Sequence, residues 1–219
     1  MTFAINMKTA LLSVSIVLGM IAQTKPTLAA DTATLTVAGG CFWCVEADFE
    51  KVKGVKDVIS GFTGGSVPNA TYKQVSSGGT GHYEAVQIKY DPSVISAGQL
   101  YGMFFRSIDP TDAGGQFCDR GASYRTAIFA GPDELDAAKK AKAAAQSELG
   151  QKLVTPILAE GQFFPANAYH QDYYKQSKVI LTRFGPLSKA KAYKKYRAAC
   201  GRDARVKELW GSAAPFAGS

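Results

Sequence analysis

The chain has 219 residues, with 46% hydrophobic and 20% charged side chains, a formal net charge of +7, four cysteines and two histidines. It contains no low-complexity linker, heptad run or internal repeat, which excludes coiled-coil and repeat architectures. Once a targeting segment is set aside, the remainder is long enough for one domain with a sizeable core.

The targeting segment is residues 1–30. Lys8 is followed by 14 uncharged residues, 9–22, and small residues at 27–30 end just before Asp31. This is the layout of a cleavable signal peptide, and the apolar run is shorter than the about 20 residues of an ordinary membrane span. We expect a mature domain of residues 31–219 that is periplasmic or secreted and does not interact with a membrane after cleavage. An uncleaved anchor is the alternative.

The next segment places a thiol between two elements. Residues 34–38 predict a short strand, and residues 45–54 predict a helix because apolar side chains recur at helical spacing. Between them, residues 39–44 read Gly-Gly-Cys-Phe-Trp-Cys, so Cys41 lies where a strand turns into a helix. The helix dipole and unpaired N–H groups there lower a thiol pKa from about 8.5 toward neutrality. Cys41 is therefore expected to be a reactive thiolate, with Cys44 three positions on.

A structural role and a zinc site are the alternatives for these cysteines. A free cysteine is often only a small buried hydrophobic residue. A zinc site needs about four ligands, typically in two close pairs, and the pair Cys41 and Cys44 has no second pair because Cys118 and Cys200 stand alone. A redox Cys-x-x-Cys is favoured, and neither a metal nor a cofactor is expected.

Strands and helices alternate along the rest of the chain. Strands are predicted at residues 55–62, 82–90 and 124–129; a helix follows a Ser96 cap; a longer helix covers residues 132–150; and residues 152–158 predict a strand that Pro156 confines to a sheet edge. The pattern indicates a mixed sheet covered by helices in a single α+β or α/β domain.

One acidic residue stands out in the strand at residues 82–90. Because side chains alternate between faces, Glu84 shares the apolar face with Val86, Ile88 and Tyr90. Burial there raises a carboxyl pKa, so Glu84 is expected to be a neutral acid that can donate a proton. The alternatives are a buried glutamate satisfied by backbone donors or a residue at a frayed strand end.

Much of the positive charge lies late in the chain. The residues are Lys189, Lys191, Lys194, Lys195, Arg197, Arg202, Arg205 and Lys207. A basic helix could contact nucleic acid, but stacking motifs are absent and the chain is expected to be exported. A solvated face is the favoured interpretation, and no nucleic-acid partner is expected.

Several motifs together resemble the peptide methionine sulfoxide reductases, in particular the type specific for the S epimer. The segments that carry the resemblance are residues 40–43 with 45–47, residues 69–86, residues 119–125, and residues 163–166 with 169–173. The resemblance covers nearly all of residues 31–219. It implies a two-layer α/β plait of the ferredoxin-like kind around a mixed sheet, and repair of oxidised proteins by thiol-dependent reduction of methionine S-sulfoxide.

The resemblance also implies roles for individual residues. Cys41 attacks the sulfur and becomes a sulfenic acid, Glu84 protonates the leaving oxygen, and the hydroxyls of Tyr72 and Tyr124 hydrogen-bond that oxygen. A second thiol then forms an intramolecular disulfide, which a dithiol reductant reopens.

The resemblance also implies three substrate-binding residues, Phe42, Trp43 and Asp119. Phe42 and Trp43 would hold the substrate methyl group, although ordinary core packing is the alternative for both. Asp119 is expected to position its neighbours rather than to react.

The thiol that recycles Cys41 is left open. The chain has Cys44 where many relatives have glycine, Ser76 where many have cysteine, and Asn167 where an acid is usual. Cys44 ranks first because it lies one helical turn on. Cys200, near a glycine in the C-terminal region, ranks second, and Cys118 ranks third because the adjacent Asp119 raises its pKa.

The expected partners follow from this chemistry. They are oxidised proteins or peptides that carry methionine sulfoxide, and a thioredoxin-like reductant that supplies electrons in an oxidising compartment. Two further classes of protein remain open at this point: a general thiol–disulfide oxidoreductase, and a metal-binding or nucleic-acid-binding module.

Overall fold

The computed structural model describes Met1 and residues 32–218, so the predicted signal peptide falls outside the described residues apart from Met1. The strands of the described part are β1 (Ala33–Gly39), β2 (Val55–Thr63), β3 (Tyr83–Tyr90), β4 (Gly115–Gln116), β5 (Asp119–Arg120), β6 (Thr126–Ala130), β7 (Ile157–Ala159), β8 (Phe164–Pro165), β9 (Val179–Thr182) and β10 (Gly185–Ser188). The helices are α1 (Phe42–Phe49), α2 (Tyr72–Ser76), α3 (Ala97–Phe105), α4 (Pro132–Leu149), α5 (Lys189–Cys200) and α6 (Arg202–Trp210).

A six-stranded mixed sheet organises the protein, in the order β7-β6-β1-β3-β2-β8. Every neighbouring pair is antiparallel except β6 and β7, which are parallel. β1 lies between β3 and β6, and Thr36 pairs with Gln87 on one side and with Phe129 on the other. The predicted mixed sheet with helices in an α/β arrangement is therefore confirmed.

Alternation along the central strands builds two apolar surfaces. One set, Leu35, Val37, Val86, Ile88 and Ile128, joins the main core with residues of α1 and α3. The residues between them form a smaller cluster on the other face, made of Ala38, Tyr83, Ala85, Ala127 and Phe129. Because side chains of a strand alternate, Glu84 lies on the main-core face, as its position in the sequence predicts.

The helix after the first strand differs from its prediction. It begins at Phe42, one turn earlier than the predicted residue 45, and ends at Phe49 rather than near Gly54. The aromatic residues after Cys41 therefore belong to the helix itself. Gly54 has φ of 97° and forms the turn into β2. The N-terminus of α1 is consequently at Cys41.

For the other elements, the observed first and last residues differ from the predicted ones by a few positions. The Ser96 cap of α3 is confirmed, with a reciprocal capping box to Gln99. The strand predicted at residues 124–129 runs from Thr126 to Ala130 and follows a short 3₁₀ turn. The strand predicted at residues 152–158 is only Ile157–Ala159, at the edge of the sheet where Pro156 was expected to confine it.

The prediction of a solvated basic face near the C-terminus is wrong for three residues. Lys189, Arg197 and Arg202 are buried. Lys189 Nζ donates to the Tyr169 carbonyl oxygen at 2.6 Å, and Arg197 binds Asp48 at 2.8 Å. These cations hold α5 and α6 to the rest of the domain rather than facing water.

No helix among residues 32–218 combines the length and apolarity that a membrane span requires.

Candidate active site

Cys41 directly follows a turn residue, Gly40, that must be glycine. It is the N-cap residue of α1, and its carbonyl oxygen accepts the first bond of the helix from Cys44 N at 3.1 Å. Gly40 before it has φ of +81°, and a Cβ there would lie 2.6 Å from Cβ of Gln116. Gln116 is fully buried and is itself held by Asp109 through two hydrogen bonds of 2.8 and 2.9 Å. The turn that carries the thiol is therefore fixed against β4.

Glu84 lies beneath this turn. Its Oε2 accepts a hydrogen bond from the backbone N–H of Phe42 at 3.2 Å, and its Oε1 is buried with no hydrogen-bond partner among the described residues. The pKa of Glu84 is raised to about 8, mainly by burial and in part by the charge of Asp119, while the hydrogen bond from Phe42 opposes the rise. Since the folded pKa is above neutrality, the carboxyl is protonated below about 8 and can donate from its unpaired oxygen.

Tyr72 and Tyr124 complete the polar side of the site. Tyr72 is the first residue of α2, which Thr71 caps, and Tyr124 ends the short 3₁₀ turn before β6. Burial raises the pKa of both hydroxyls, and the nearby charges of Glu84 and Cys41 raise them further. Tyr124 interacts with both Glu84 and Tyr72. Two neutral hydroxyl donors therefore stand beside the acid and the thiol.

An aromatic wall borders the site. Trp43 stacks on Tyr173 with ring centroids 3.8 Å apart, and His170 stacks on Tyr72 at 4.2 Å. Phe42 is buried and lies 5.6 Å from the ring of His170. An apolar wall of flat rings next to a thiol suits a thioether methyl group.

Two members of this wall, His170 and Tyr173, were not among the predicted site residues. Burial lowers the pKa of His170 to about 4, so its imidazole is neutral at physiological pH. Residues 169–173 carried the only signal for them, because that stretch belongs to a motif of the resemblance. Their spacing alone gives no reason to place them beside Cys41, which is over a hundred residues earlier.

Cys41 and Cys44 behave as one titrating pair. The hydrogen bond between the two sulfurs, followed by burial and the charge of Glu84, raises the pKa of Cys41. The same hydrogen bond lowers the pKa of Cys44 to about 7, helped by the charges of Arg202 and Arg197. The direction for Cys41 is thus opposite to the lowered pKa that its position at the helix start predicts, and the thiol with the lowered pKa is Cys44.

Two buried arginines behind Cys44 help to lower its pKa. Arg197 binds Asp48 at 2.8 Å and the Tyr193 hydroxyl at 2.9 Å. Arg202, 2% exposed, donates to the carbonyl oxygen of Gly39 at 3.2 and 3.3 Å. Sequence reasoning missed both arginines as site residues because a basic helix usually faces solvent.

Cys118 and Cys200 are joined in a disulfide, with Cα atoms 4.9 Å apart and a sequence separation of 82. Cys41 and Cys44 are free thiols. Of the three resolving candidates, the structure thus leaves Cys44 as a thiol beside Cys41, whereas Cys200 and Cys118 are bonded to each other. The two pairs line one cavity of about 570 Å³, with Asp119 and Trp43 also in its wall.

Two clusters in the described part of the chain bring three metal-ligand side chains together. Cys118, Asp119 and Cys200 form one, but both of its sulfurs are used by the disulfide. Glu46, Glu50 and Asp172 form the other, and Lys175 forms ion pairs with the last two. A lysine at the centre of an acidic cluster supplies the positive charge that a cation would bring.

The amino-acid sequence of the chain matches those of known proteins. The family described as "Peptide methionine sulfoxide reductase" matches residues 33–210. Peptide methionine sulfoxide reductase MsrA 2 of Caulobacter vibrioides is 45% identical over 196 residues, covering 89% of this chain and 94% of that protein. Peptide methionine sulfoxide reductase MsrA of Bacillus subtilis is 43% identical over 180 residues, covering 81% of this chain and 95% of that protein.

Solved structures agree. Mxr1 from Saccharomyces cerevisiae in reduced form is similar with a TM-score of 0.62 and 34% identity, covering 66% of this chain and 85% of that one. Methionine sulfoxide reductase A of Corynebacterium diphtheriae has a TM-score of 0.61 and 32% identity, covering 65% of this chain and 73% of that one.

Proposed function

This chain belongs to the peptide methionine sulfoxide reductase family and reduces methionine S-sulfoxide with its thiols, and on this basis we propose that Cys41 attacks the sulfur while Glu84 gives the oxygen its proton. The observation that carries this assignment is the carboxyl beneath the turn. Glu84 is bonded to the N–H of the residue after the nucleophile and keeps its other oxygen buried and free. A neutral acid at that place can protonate a leaving oxygen.

The first chemical step moves the charge of the thiol pair. As Cys41 attacks, its proton passes to the Cys44 thiolate, so the negative charge is on the sulfur that forms the new bond. Glu84 protonates the sulfoxide oxygen. The hydroxyl is then transferred to the Cys41 sulfur as the sulfur–oxygen bond of the substrate and the new sulfur–sulfur bond break, which leaves methionine and a Cys41 sulfenic acid. Tyr72 and Tyr124 donate hydrogen bonds to the oxygen while it gains negative charge.

Substrate binding uses the aromatic wall. Phe42 and Trp43 hold the methyl group of the sulfoxide, and the stacked Tyr173 and His170 keep those rings in place. Asp119 lies in the cavity wall and acts on the pKa of Glu84, which is a positioning and electrostatic role. The site is thus apolar where the methyl group binds and polar where the oxygen leaves.

Recycling begins at Cys44. Its thiol attacks the Cys41 sulfenic acid, its proton joins the leaving hydroxyl as water, and a Cys41–Cys44 disulfide forms. When the Cys118–Cys200 pair is reduced, its thiols take over that disulfide by exchange through the shared cavity, and the inner thiols are restored. A dithiol reductant of the thioredoxin type then reduces the outer disulfide, which is the more exposed of the two pairs.

The order of the four central strands supports the ferredoxin-like plait. These strands lie in the order β6-β1-β3-β2, all antiparallel to their neighbours. α1 connects β1 to β2, and α3 lies between β3 and β6 in the chain. Both helices contribute to the main core on one face of the sheet. We propose the two-layer α/β plait for this unit, with β7 and β8 as additions at its two edges.

The location remains a proposal from the sequence. The layout of residues 1–30 supports cleavage near Asp31 and a periplasmic or secreted repair enzyme, with residues 31–219 as the working domain. An oxidising compartment keeps disulfides formed, so the reductant must be delivered there by a dedicated partner. N-terminal sequencing of the protein from its native host tests this: a start near Asp31 supports export, whereas a start at Met1 in the cytosol refutes it.

Product analysis on the two separated sulfoxide epimers tests the function. The S epimer of a peptide methionine sulfoxide should give methionine and a disulfide in equal amounts, and the R epimer should be left unchanged. An insulin-reduction assay under the same conditions is the control. Rapid insulin reduction without methionine formation would instead support a general thiol–disulfide oxidoreductase.

A further inference from the structure

The hairpin of β9 and β10 has an open backbone edge. Lys189 N donates to Lys178 O at 3.0 Å, which makes these two residues a hydrogen-bonded pair at the base of the ladder. Hydrogen-bonded and non-hydrogen-bonded pairs alternate in an antiparallel ladder. Val179 and Leu181 therefore belong to non-hydrogen-bonded pairs, and Leu181 is opposite Pro186. Their N–H and C=O groups point away from β10. We call this backbone row the β9 edge.

The opposite edge of the hairpin is blunted. Pro186 has no N–H group, so β10 lacks a donor at the position that corresponds to Leu181. Proline on an edge strand prevents a further strand from pairing there. The β9 edge has no such protection, and among the described residues β9 pairs with β10 alone. One side of the hairpin is thus suited to receive an added strand and the other is not.

The side chains on the β9 edge are apolar and face water. Val179 is 64% exposed and Leu181 is 84% exposed. Between them, Ile180 points to the opposite face and packs against the cluster that contains Cys44, Tyr173 and Tyr193. The hairpin is therefore anchored to the active-site side of the domain by Ile180 while it presents apolar side chains outward. Apolar, unpaired edges are usually avoided because they bind other chains.

The β9 edge lies beside the cavity that contains Cys41. Leu181 and Ile180 line the same cavity as Cys41 and Trp43. Arg183, directly after β9, also lines that cavity, and its guanidinium lies over the rings of Phe184 and Tyr196 at 4.8 and 5.1 Å. An extended chain bound along the β9 edge would pass the cavity mouth with its apolar side chains against Val179 and Leu181.

We propose that the β9 edge binds the main chain of an extended, apolar substrate segment next to its methionine sulfoxide, as an added β-strand. This inference rests on the proposed function and names the class of polypeptide that the same site takes. Methionine commonly packs in hydrophobic cores, and its oxidation disrupts that packing, so core segments that unfold after oxidation expose methionine sulfoxide among apolar residues. Main-chain hydrogen bonds recognise such segments without regard to sequence, which suits a repair enzyme.

The test compares a peptide with a minimal substrate. The peptide is an apolar nonapeptide with a central methionine S-sulfoxide, and the minimal substrate is N-acetylmethionine S-sulfoxide. Leu181→Pro removes the edge N–H, and the matched control Leu181→Ala removes the side chain but keeps the N–H. We expect kcat/KM for the peptide to fall about tenfold in Leu181→Pro relative to Leu181→Ala, the upper end for one hydrogen bond. The minimal substrate should react equally with both variants.

A second measurement needs no variant. A nonapeptide whose amides are N-methylated at successive positions on both sides of the sulfoxide has no N–H group to donate from either edge, so its KM for the unmodified enzyme should rise while kcat is unchanged.

Equal kcat/KM for the peptide in the two variants, together with an unaffected N-methylated peptide, would overturn the proposal. A defect confined to recycling by a thioredoxin-type reductant would assign the edge to the reductant instead, and a concentration-dependent dimer abolished by Leu181→Pro would assign it to a second copy. Failure of the wild-type enzyme on both substrates would refute the proposed function itself.

Discussion

The two cysteine pairs of this protein share one cavity but differ in redox state, in separation along the chain and in exposure. Cys41 and Cys44 are free, lie one helical turn apart and are surrounded by a neutral acid and buried arginines. Cys118 and Cys200 come from distant parts of the chain and are bonded to each other; Cys118 is exposed and Cys200 is half-buried. The inner pair has the groups needed to break a sulfur–oxygen bond. The outer pair has only access to solvent and to the inner pair.

The two pairs also differ in the charged groups that surround them. The buried Cys44 has the lowered pKa because it accepts a hydrogen bond from Cys41 and faces Arg202 and Arg197. The exposed Cys118 has Asp119 as its neighbour in sequence. We therefore assign the chemistry to the inner pair and reductant access to the outer pair.

Of the changes to the two pairs, replacement of Cys41 should have the largest effect on methionine formation. Cys41→Ser should form no methionine in a single turnover, because a serine hydroxyl at this pH is a far poorer nucleophile toward sulfur. The fold should be retained, since Cys41 is only half-buried. Methionine release is measured by chromatography after mixing with one equivalent of peptide S-sulfoxide. Appreciable methionine from this variant would mean that another thiol attacks.

Removal of the acid should have the next largest effect. Glu84→Gln keeps a hydrogen-bonding group beneath Phe42 N but cannot donate a proton, so the single-turnover rate should fall by roughly 10²–10⁴-fold. Glu46→Gln is the matched control, because Glu46 is equally buried and its pKa is likewise raised to about 8, yet it bonds Asp172 N at 2.8 Å instead of lying at the thiol turn. Equal losses in both variants would indicate that Glu84 is structural.

Removal of the resolving thiol should separate chemistry from recycling. Cys44→Ser should still release methionine, up to one equivalent per enzyme, but should lose most of its turnover with a thioredoxin-type reductant. The first step should also slow, because the acceptor for the Cys41 proton is gone. Dimedone labelling should trap the Cys41 sulfenic acid in this variant only. Undiminished turnover would transfer the resolving role to the outer pair.

The pH profile of the inner pair should be bell-shaped. Cys44, with a pKa of about 7, must be ionised to take the Cys41 proton, so the rate should rise as pH increases through 7. Glu84, with a pKa raised to about 8, must be protonated to act, so the rate should fall as pH increases through 8. Single-turnover rates between pH 5 and 10 check this. The rate should fall about tenfold for each pH unit above the pKa of Glu84. In Glu84→Gln the falling limb should disappear.

Changes to the outer pair should have the smallest effect on chemistry. Cys200→Ser should leave the single-turnover rate nearly unchanged, reduce reductant-dependent turnover, and lower the free energy of unfolding by about 2–4 kcal/mol through loss of the cross-link. Cys118→Ser is a second variant that should show the same effects, because either change removes the same disulfide bond. A large loss of single-turnover rate in either variant would contradict the division between the pairs.

Local sequence signals predicted much of the fold. Apolar alternation placed β1, β2 and β3, and it put Glu84 on the core face where it is 1% exposed. Element ends were less well predicted, as at α1, where two aromatic residues join the first turn of the helix and start it at Phe42.

The parts of the site that could not be predicted are set by long-range packing. Arg202 is buried because Gly39 and Ser107 offer carbonyl oxygens to it, and those residues are far from it in sequence. The direction of the Cys41 pKa shift depends on the rotamers that join its sulfur to Cys44, which spacing alone does not give. The bond between Cys118 and Cys200 closes a separation of 82 residues, and four cysteines allow three pairings.

Rapid-quench disulfide mapping can establish whether the inner pair alone carries out the first turnover. Enzyme with free inner thiols and an intact Cys118–Cys200 disulfide is mixed with one equivalent of peptide methionine S-sulfoxide, quenched with acid and alkylated, and its peptides are analysed by mass spectrometry. We expect one equivalent of methionine and a Cys41–Cys44 disulfide, with the Cys118–Cys200 link unchanged. A Cys41–Cys200 or Cys41–Cys118 link in the first turnover, with Cys44 still a thiol, would contradict the division between the pairs.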